Sequence, residues 1–167
     1  AVDRADCATR LESHDGLTRE LDLLRTVINS LPDIVYVKDK EARFIFGNKP
    51  LLSIMGVNSF ENLIGRTDYD FYPADLAEDY YHDDILVARN QTSLINYQER
   101  HIDTSTGEGK WLLTSKMPLF DNDGVSQGLI GIGRDITESV TAQRKLEQQN
   151  NELSLLNKLG TDLQQCQ

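Results

Sequence analysis

The chain has 167 residues, 39% of them hydrophobic, and a formal net charge of -10, enough for one domain with extensions and one core. Its 27 Asp and Glu against 17 Lys and Arg argue against nucleic acid as a main partner, because phosphate contact needs a basic face. No apolar run approaches the ~20 residues that span a bilayer, and Cys7 and Cys166 sit near opposite ends, outside any disulfide framework or zinc spacing. A reduced, cytoplasmic setting without membrane contact is therefore expected. Ala1 at the start and a helical pattern still running at Gln167 suggest that both ends are cuts in a longer protein.

Residues 1–15 are polar and aperiodic, and fraying is expected there. Leu17, Leu21, Leu24, Ile28 and Leu31 then step by four and three, the seam of an amphipathic helix ended by Pro32. That seam suits either a partner helix or the domain's own core. Ile34 to Lys38 is β-branched and aromatic, a strand, and Arg43 to Phe46 pairs back on it after a turn. Asn48 is placed to cap a helix that carries Pro50 in its first turn and stops at Gly56. Residues 57–73 read as short helical turns and loops, and a longer helix runs from Pro73 or Ala74 to about Ala88.

Ser93 to Asp103 is a third strand, followed by a Gly/Ser/Thr turn. From Trp111 onward two further strands flank Asp121-Asn122-Asp123-Gly124, whose residues tolerate positive φ. Leu112, Thr114, Lys116 and Pro118 alternate with Leu113, Ser115 and Met117, so one set should meet a core. The last strand ends in Arg134-Asp135-Ile136-Thr137 and runs straight into a polar helix. There Leu146, Gln149, Leu153, Leu156, Gly160 and Leu163 form a heptad seam with polar and glycine defects, suited to fixing or switching register. Two strands, helices, then three strands without a parallel crossover imply an α+β fold with a five-stranded antiparallel sheet.

In this order and spacing, Asp33 to Asp39, Phe46-Gly47-Asn48, Gly65 to Pro73, Trp111 and Gly131 to Thr137 resemble a PAS domain with its C-terminal PAC portion. The resemblance covers about Leu31 to Val140 and is to the sensory modules of bacterial signalling proteins such as histidine kinases and GGDEF diguanylate cyclases. It implies helices on one face of the sheet, flanked by N- and C-terminal coiled-coil-type helices. The expected layout is a polar segment and amphipathic helix at 1–31, the PAS/PAC domain at 32–137 and a signalling helix at 138–167. Residues 155–166 are similar to the entry helix of a GAF domain. No GGDEF sequence, kinase histidine box or nucleotide-binding motif is present, so the chain reads as a sensor fragment rather than an enzyme.

The family's cofactors test differently against these residues. Covalent flavin photochemistry needs a cysteine in the middle segment, which here reads Gly65-Arg66-Thr67-Asp68. Haem would use a histidine on the long helix; His82 is there, but between Tyr81 and Asp83-Asp84, and about three residues past the family's ligand position near Asp79. His101 reads as cross-strand packing or surface. Non-covalent flavin or another small ligand would use Tyr36, Phe46, Tyr69, Phe71, Tyr80, Tyr97 and Trp111, if they face one cavity rather than fill a core. Asp68, Asp70 and Asp75 lack the Gly and terminal Glu of a calcium loop and are read as exposed or capping. No metal or catalytic site is evident.

The reading that emerges is a sensory module, homodimeric through its flanking helices. It would receive a small-molecule or partner signal and relay it through Arg134, Asp135, Ile136 and Thr137 to an effector domain in the same chain. Asp135 would anchor the strand–helix junction and Thr137 would cap the helix. The alternatives are a ligand-free dimerisation spacer and a haem- or flavin-binding redox or gas sensor.

Overall fold

Asn48 shows how the N-terminal half is tied together. The structure, a computed structural model, describes the backbone of residues 4–165 and the side chains of 16–154 and 156. Helix α1 (Arg4–Ser30) leads into strand β1 (Ile34–Lys38), β2 (Phe44–Gly47) and the short helix α2 (Lys49–Ile54). The Asn48 side chain is fully buried. Its Oδ1 accepts from the Leu51 and Val35 amides, and its Nδ2 donates to the Ile28 and Asp33 carbonyls. One capping residue thus starts α2 and also fastens it to β1 and to the end of α1. The helix begins at Arg4 rather than near Leu17; side chains 1–15, with Cys7 and His14, lie outside the described residues, as do Cys166 and most of the GAF-like stretch.

Two 3₁₀ turns, Phe60–Asn62 and Asp68–Asp70, precede helix α3 (Ala74–Asn90). Strands β3 (Leu94–Ile102), β4 (Gly109–Phe120) and β5 (Ser126–Asp135) follow, and then helix α4 (Thr137–Gln165). All pairings are antiparallel, in the order β2-β1-β5-β4-β3. The first and last strands of the chain's two β segments therefore meet at the centre, where Ile34 pairs with Gly133 and Tyr36 with Gly131.

The Asp121–Gly124 turn forms as its composition requires. Gly124 adopts φ +77°, and Asp121 Oδ1 accepts from the Asp123 and Val125 amides. Alternation along β4 buries Leu112, Thr114 and Lys116 on the inner face. There the core gathers Ile34, Phe44, Leu51, Met55, Tyr72 and Tyr80 with Leu112. Outside the domain Leu17, Leu21 and Leu24 of α1 are 60, 49 and 52% exposed, so that seam does not rest on its own core. Among the described residues no helix is long and apolar enough to cross a membrane.

Gly131 is required by close approach, since a Cβ there would overlap the Tyr36 ring. Gly131→Ala should cost about 1–3 kcal/mol by overpacking. Combining it with Tyr36→Ala should cost less than the sum of the two changes, as urea denaturation of the four species would show; strict additivity would place the ring elsewhere.

Candidate functional site

The inner face of the sheet carries charge as well as apolar bulk. Strand alternation puts Ile34, Tyr36 and Lys38 of β1 inward, and Leu112, Thr114 and Lys116 of β4 beside them. Both lysines are almost wholly buried. Lys38 Nζ donates to Asp68 and, at 2.5 Å, to Asp84 Oδ2, while Lys116 Nζ lies 2.7 Å from Asp84 Oδ1. Asp84 comes from α3, one turn after Tyr80, on the face that also buries Val87 and Ala88.

These charges stand because they face each other. Burial alone would neutralise Lys38, but Asp68 and Asp84 outweigh it and hold the ammonium above its usual range. Burial pushes Asp84 upward too, yet two lysines overcome this and keep its carboxyl low. Asp68 has one lysine partner, and there burial prevails and raises it. Asp84 is thus the firmly ionised centre of the cluster.

Next to the cluster lies a cavity of about 40 Å³. A single water needs ~10–15 Å³, so this space suits a few waters or a ligand of few heavy atoms. One end is apolar, with Ile34, Phe44, Leu51, Met55 and Leu112. The other presents Lys38, Lys116, Asp68, Glu99, Thr114 and His101. Burial raises Glu99 despite the pull of Lys116 and of the Thr114 hydroxyl, which donates to Oε1 at 2.5 Å.

His101 is a correction to the expectation of ordinary strand packing or surface. It is 7% exposed, its Nδ1 sits 2.9 Å from the Tyr80 hydroxyl and its Nε2 3.3 Å from that of Tyr72. Burial holds its imidazole down to about 4. Asp68 is likewise buried rather than exposed or capping. Asp70 does the capping, accepting from the Thr67 amide at 2.8 Å, and Asp75 is exposed.

The seven candidate aromatics do not share one cavity. Tyr36 and Tyr80 line it, and Phe71 packs edge-on against Phe44, which does. Phe46 packs on Phe60 in a separate groove. Tyr69 is 44% exposed and donates to Glu78. Tyr97 donates to Asp83 at 3.2 Å at the outer edge of α3. Trp111 points to the opposite face from Leu112, with Arg100 and Arg144 over its ring at 5.5 and 4.8 Å. Phe44, Tyr72, Glu99, His101 and the two lysines line the cavity without having been among its expected residues, although Lys116 alternates in phase with Leu112. His82 is exposed beside a groove between α3 and β3, away from this cavity, whose dimensions fit neither a haem nor a flavin ring system.

At the far end of the same strands, four residues build the junction to α4. Arg134 makes a two-pronged ion pair with Asp33, its Nη2 donating at 2.8 Å. Asp135 Oδ1 accepts from the Thr137 amide at 2.9 Å, and Lys110 bridges Asp135 and Asp103 at 3.3 and 3.4 Å. Asp135, not Thr137, is therefore the cap. The Thr137 hydroxyl instead accepts from the Trp111 amide, and the Ile136 amide donates to the Trp111 carbonyl.

A sheet of this order, closing a cavity under α2 and α3 and handing its last strand to a helix, matches a known family. Residues 28–141 fit the family model for the PAS fold. The chain belongs to the PAS family. It is 30% identical over 138 residues to a diguanylate cyclase of Vibrio cholerae and 29% identical over 129 residues to the aerobic respiration control sensor ArcB of Escherichia coli. Those matches take in 82 and 77% of this chain but 42 and 16% of the relatives, so the chain spans less than half the length of either. Similar solved structures include VqmA bound to DPO, at 26% identity and TM-score 0.62 over 71% of this chain and 58% of that one. The PAS domain of Bordetella pertussis BvgS matches at 26% identity and TM-score 0.57 over 80 and 98%. The chain is accordingly a sensory module of the kind found in signalling proteins.

Lys38→Met should cost about 3–5 kcal/mol by stranding Asp68 among buried groups. Adding Asp68→Leu should recover most of the loss in urea denaturation; no recovery would show that the pair is not the unit. His101 sets a pH dependence. Below about 6.5 the unfolded chain takes up a proton that the folded one refuses until about 4, so stability falls as pH drops through that window. About 2 kcal/mol should be lost at this site between about pH 7 and pH 5. His101→Gln should flatten that part of the stability profile.

Proposed function

We propose that the chain is a ligand-responsive relay. A small molecule in the inner cavity shifts β4 and β5, and the junction passes the shift to α4 and to an effector domain further along the same protein. One observation carries this reading: cavity and junction residues are neighbours on the same strands. Leu112 and Gly133 line the cavity. Trp111 beside Leu112 holds both Ile136 and Thr137, and Arg134 beside Gly133 holds Asp33. VqmA, similar across most of this chain, is seen with DPO bound.

In this reading residues 32–137 are the sensing unit, 1–31 and 138–167 are coupling helices, and the module works as a cytoplasmic homodimer. The exposed apolar seams support that pairing, since Leu146, Leu153 and Leu156 of α4 are 62, 58 and 64% exposed, like those of α1. A bias of one or a few kcal/mol between two helix registers is enough for a response. The relay turns no substrate over itself. A second reading, a ligand-free spacer, is favoured by the small size of the cavity.

Asp135→Ala tests the relay. It removes a cap and one end of an exposed ion bridge, so stability should fall by about 0.5–2 kcal/mol with the fold intact. Amide exchange at Thr137 should accelerate, and in the full-length protein the output should stop responding to its signal. Intact regulation alongside accelerated exchange would defeat the relay.

A further inference from the structure

The two lysines of the cavity differ in how far their hydrogen-bonding capacity is used. Lys38 donates to Asp68 and to Asp84, and its ammonium also stands 4.3 Å from the Phe44 ring centroid. Lys116 is 1% exposed, and its contact to the Tyr80 carbonyl is long, at 3.5 Å. Its ammonium also meets Asp84 Oδ1 at 2.7 Å, the contact that helps hold that carboxyl low, and stands 3.8 Å from Asp83 Oδ2. An ammonium has three N–H donors. With Asp84 and the Tyr80 carbonyl taking two, Lys116 brings one donor to the cavity wall.

An acceptor stands next to it. Thr114, two residues before Lys116 on the same face of β4, donates to Glu99 Oε1, and Glu99 also lines the cavity. A carboxylate accepts about four hydrogen bonds, so Glu99 retains capacity. Donor and acceptor thus lie side by side at one end of a space whose other end is hydrocarbon and aromatic.

Charge narrows the class further. Lys38 and Lys116 are already matched by Asp68 and Asp84, so a ligand carboxylate would meet lysines that have counter-ions. A ligand ammonium would reach Glu99 only by standing beside both lysines. A neutral polar group avoids both conflicts and costs less to bury than an ion.

We infer that the cavity takes a small uncharged molecule with a lactam-type edge, its C=O accepting from Lys116 Nζ, its adjacent N–H donating to Glu99, and its carbon skeleton against Leu51, Met55 and Leu112. This assignment rests on the small-ligand reading above and adds the chemical class.

The test is a titration of the isotope-labelled chain with 2-pyrrolidinone, N-methyl-2-pyrrolidinone, cyclopentanone, butyrate and pyrrolidine, following the amide signals of Leu112 and Gly133. 2-Pyrrolidinone should give saturable shifts. Loss of a hydrogen bond to a charged group is worth roughly ten- to a hundredfold in affinity, so N-methylation and Lys116→Met should each weaken binding by about that factor. The N-methyl probe removes the Glu99 contact without altering the protein, which keeps the assignment testable even if the variant unfolds. Cyclopentanone, butyrate, pyrrolidine or the N-methyl compound binding as tightly as 2-pyrrolidinone overturns the lactam assignment and leaves a small-ligand site in place. Absence of saturable shifts with every probe overturns both.

Discussion

Lys38 stands where separate parts of the chain have to meet. Its ammonium holds Asp68 of a 3₁₀ turn and Asp84 of α3, and Asp84 continues to Lys116 on β4. Apolar contact alone would let α3 rest on the sheet at several heights, because hydrophobic attraction has little direction. A buried charge tolerates no such freedom, since removing its partner leaves an ion in a medium that cannot solvate it. The cluster thus selects one docking of α3. It also keeps the adjacent cavity from closing into plain hydrocarbon.

The same strands that present this cluster inward present the output junction at their ends and outer face. Alternation of period two places Leu112 in the cavity and Trp111 under α4, with one peptide unit between them. On β5, Gly133 lines the cavity and Arg134 reaches back to Asp33 beside the end of α1. Both flanking helices are therefore tied to strands that wall the cavity. Lys110, paired across the sheet with His101, joins Asp103 to Asp135 and adds a third link between the polar end of the cavity and the start of α4. Coupling here needs only that two packed elements share their anchors.

What could be read along the chain was whatever depends on near neighbours. The strands, the Asn48 cap, the Asp121–Gly124 turn, the long helices and the Arg134–Thr137 junction are set by periodicity, capping chemistry and permitted φ, all of which act within a few residues. Even the hidden cluster left a signal. Lys38 and Lys116 each fall in phase with the buried face of a strand, and Asp84 follows Tyr80 by four on the buried face of α3. Three charged groups in core phase, two positive and one negative, are an expected ion cluster rather than errors in the pattern.

Which aromatics would share a cavity was not written locally. Trp111 and Leu112 are equally apolar neighbours, and only the register of β4 against β3 and β5 sends one inward and the other under α4. His101 becomes a buried acceptor and donor because α3 brings Tyr80 over it and the preceding loop brings Tyr72. By itself the sequence determined the elements, their order and the family's fold, because those follow from interactions between residues close in the chain. Tertiary structure alone decided that two lysines, two aspartates, a glutamate and a histidine would meet around one small space, because those contacts span tens of residues and depend on how a helix settles on a sheet.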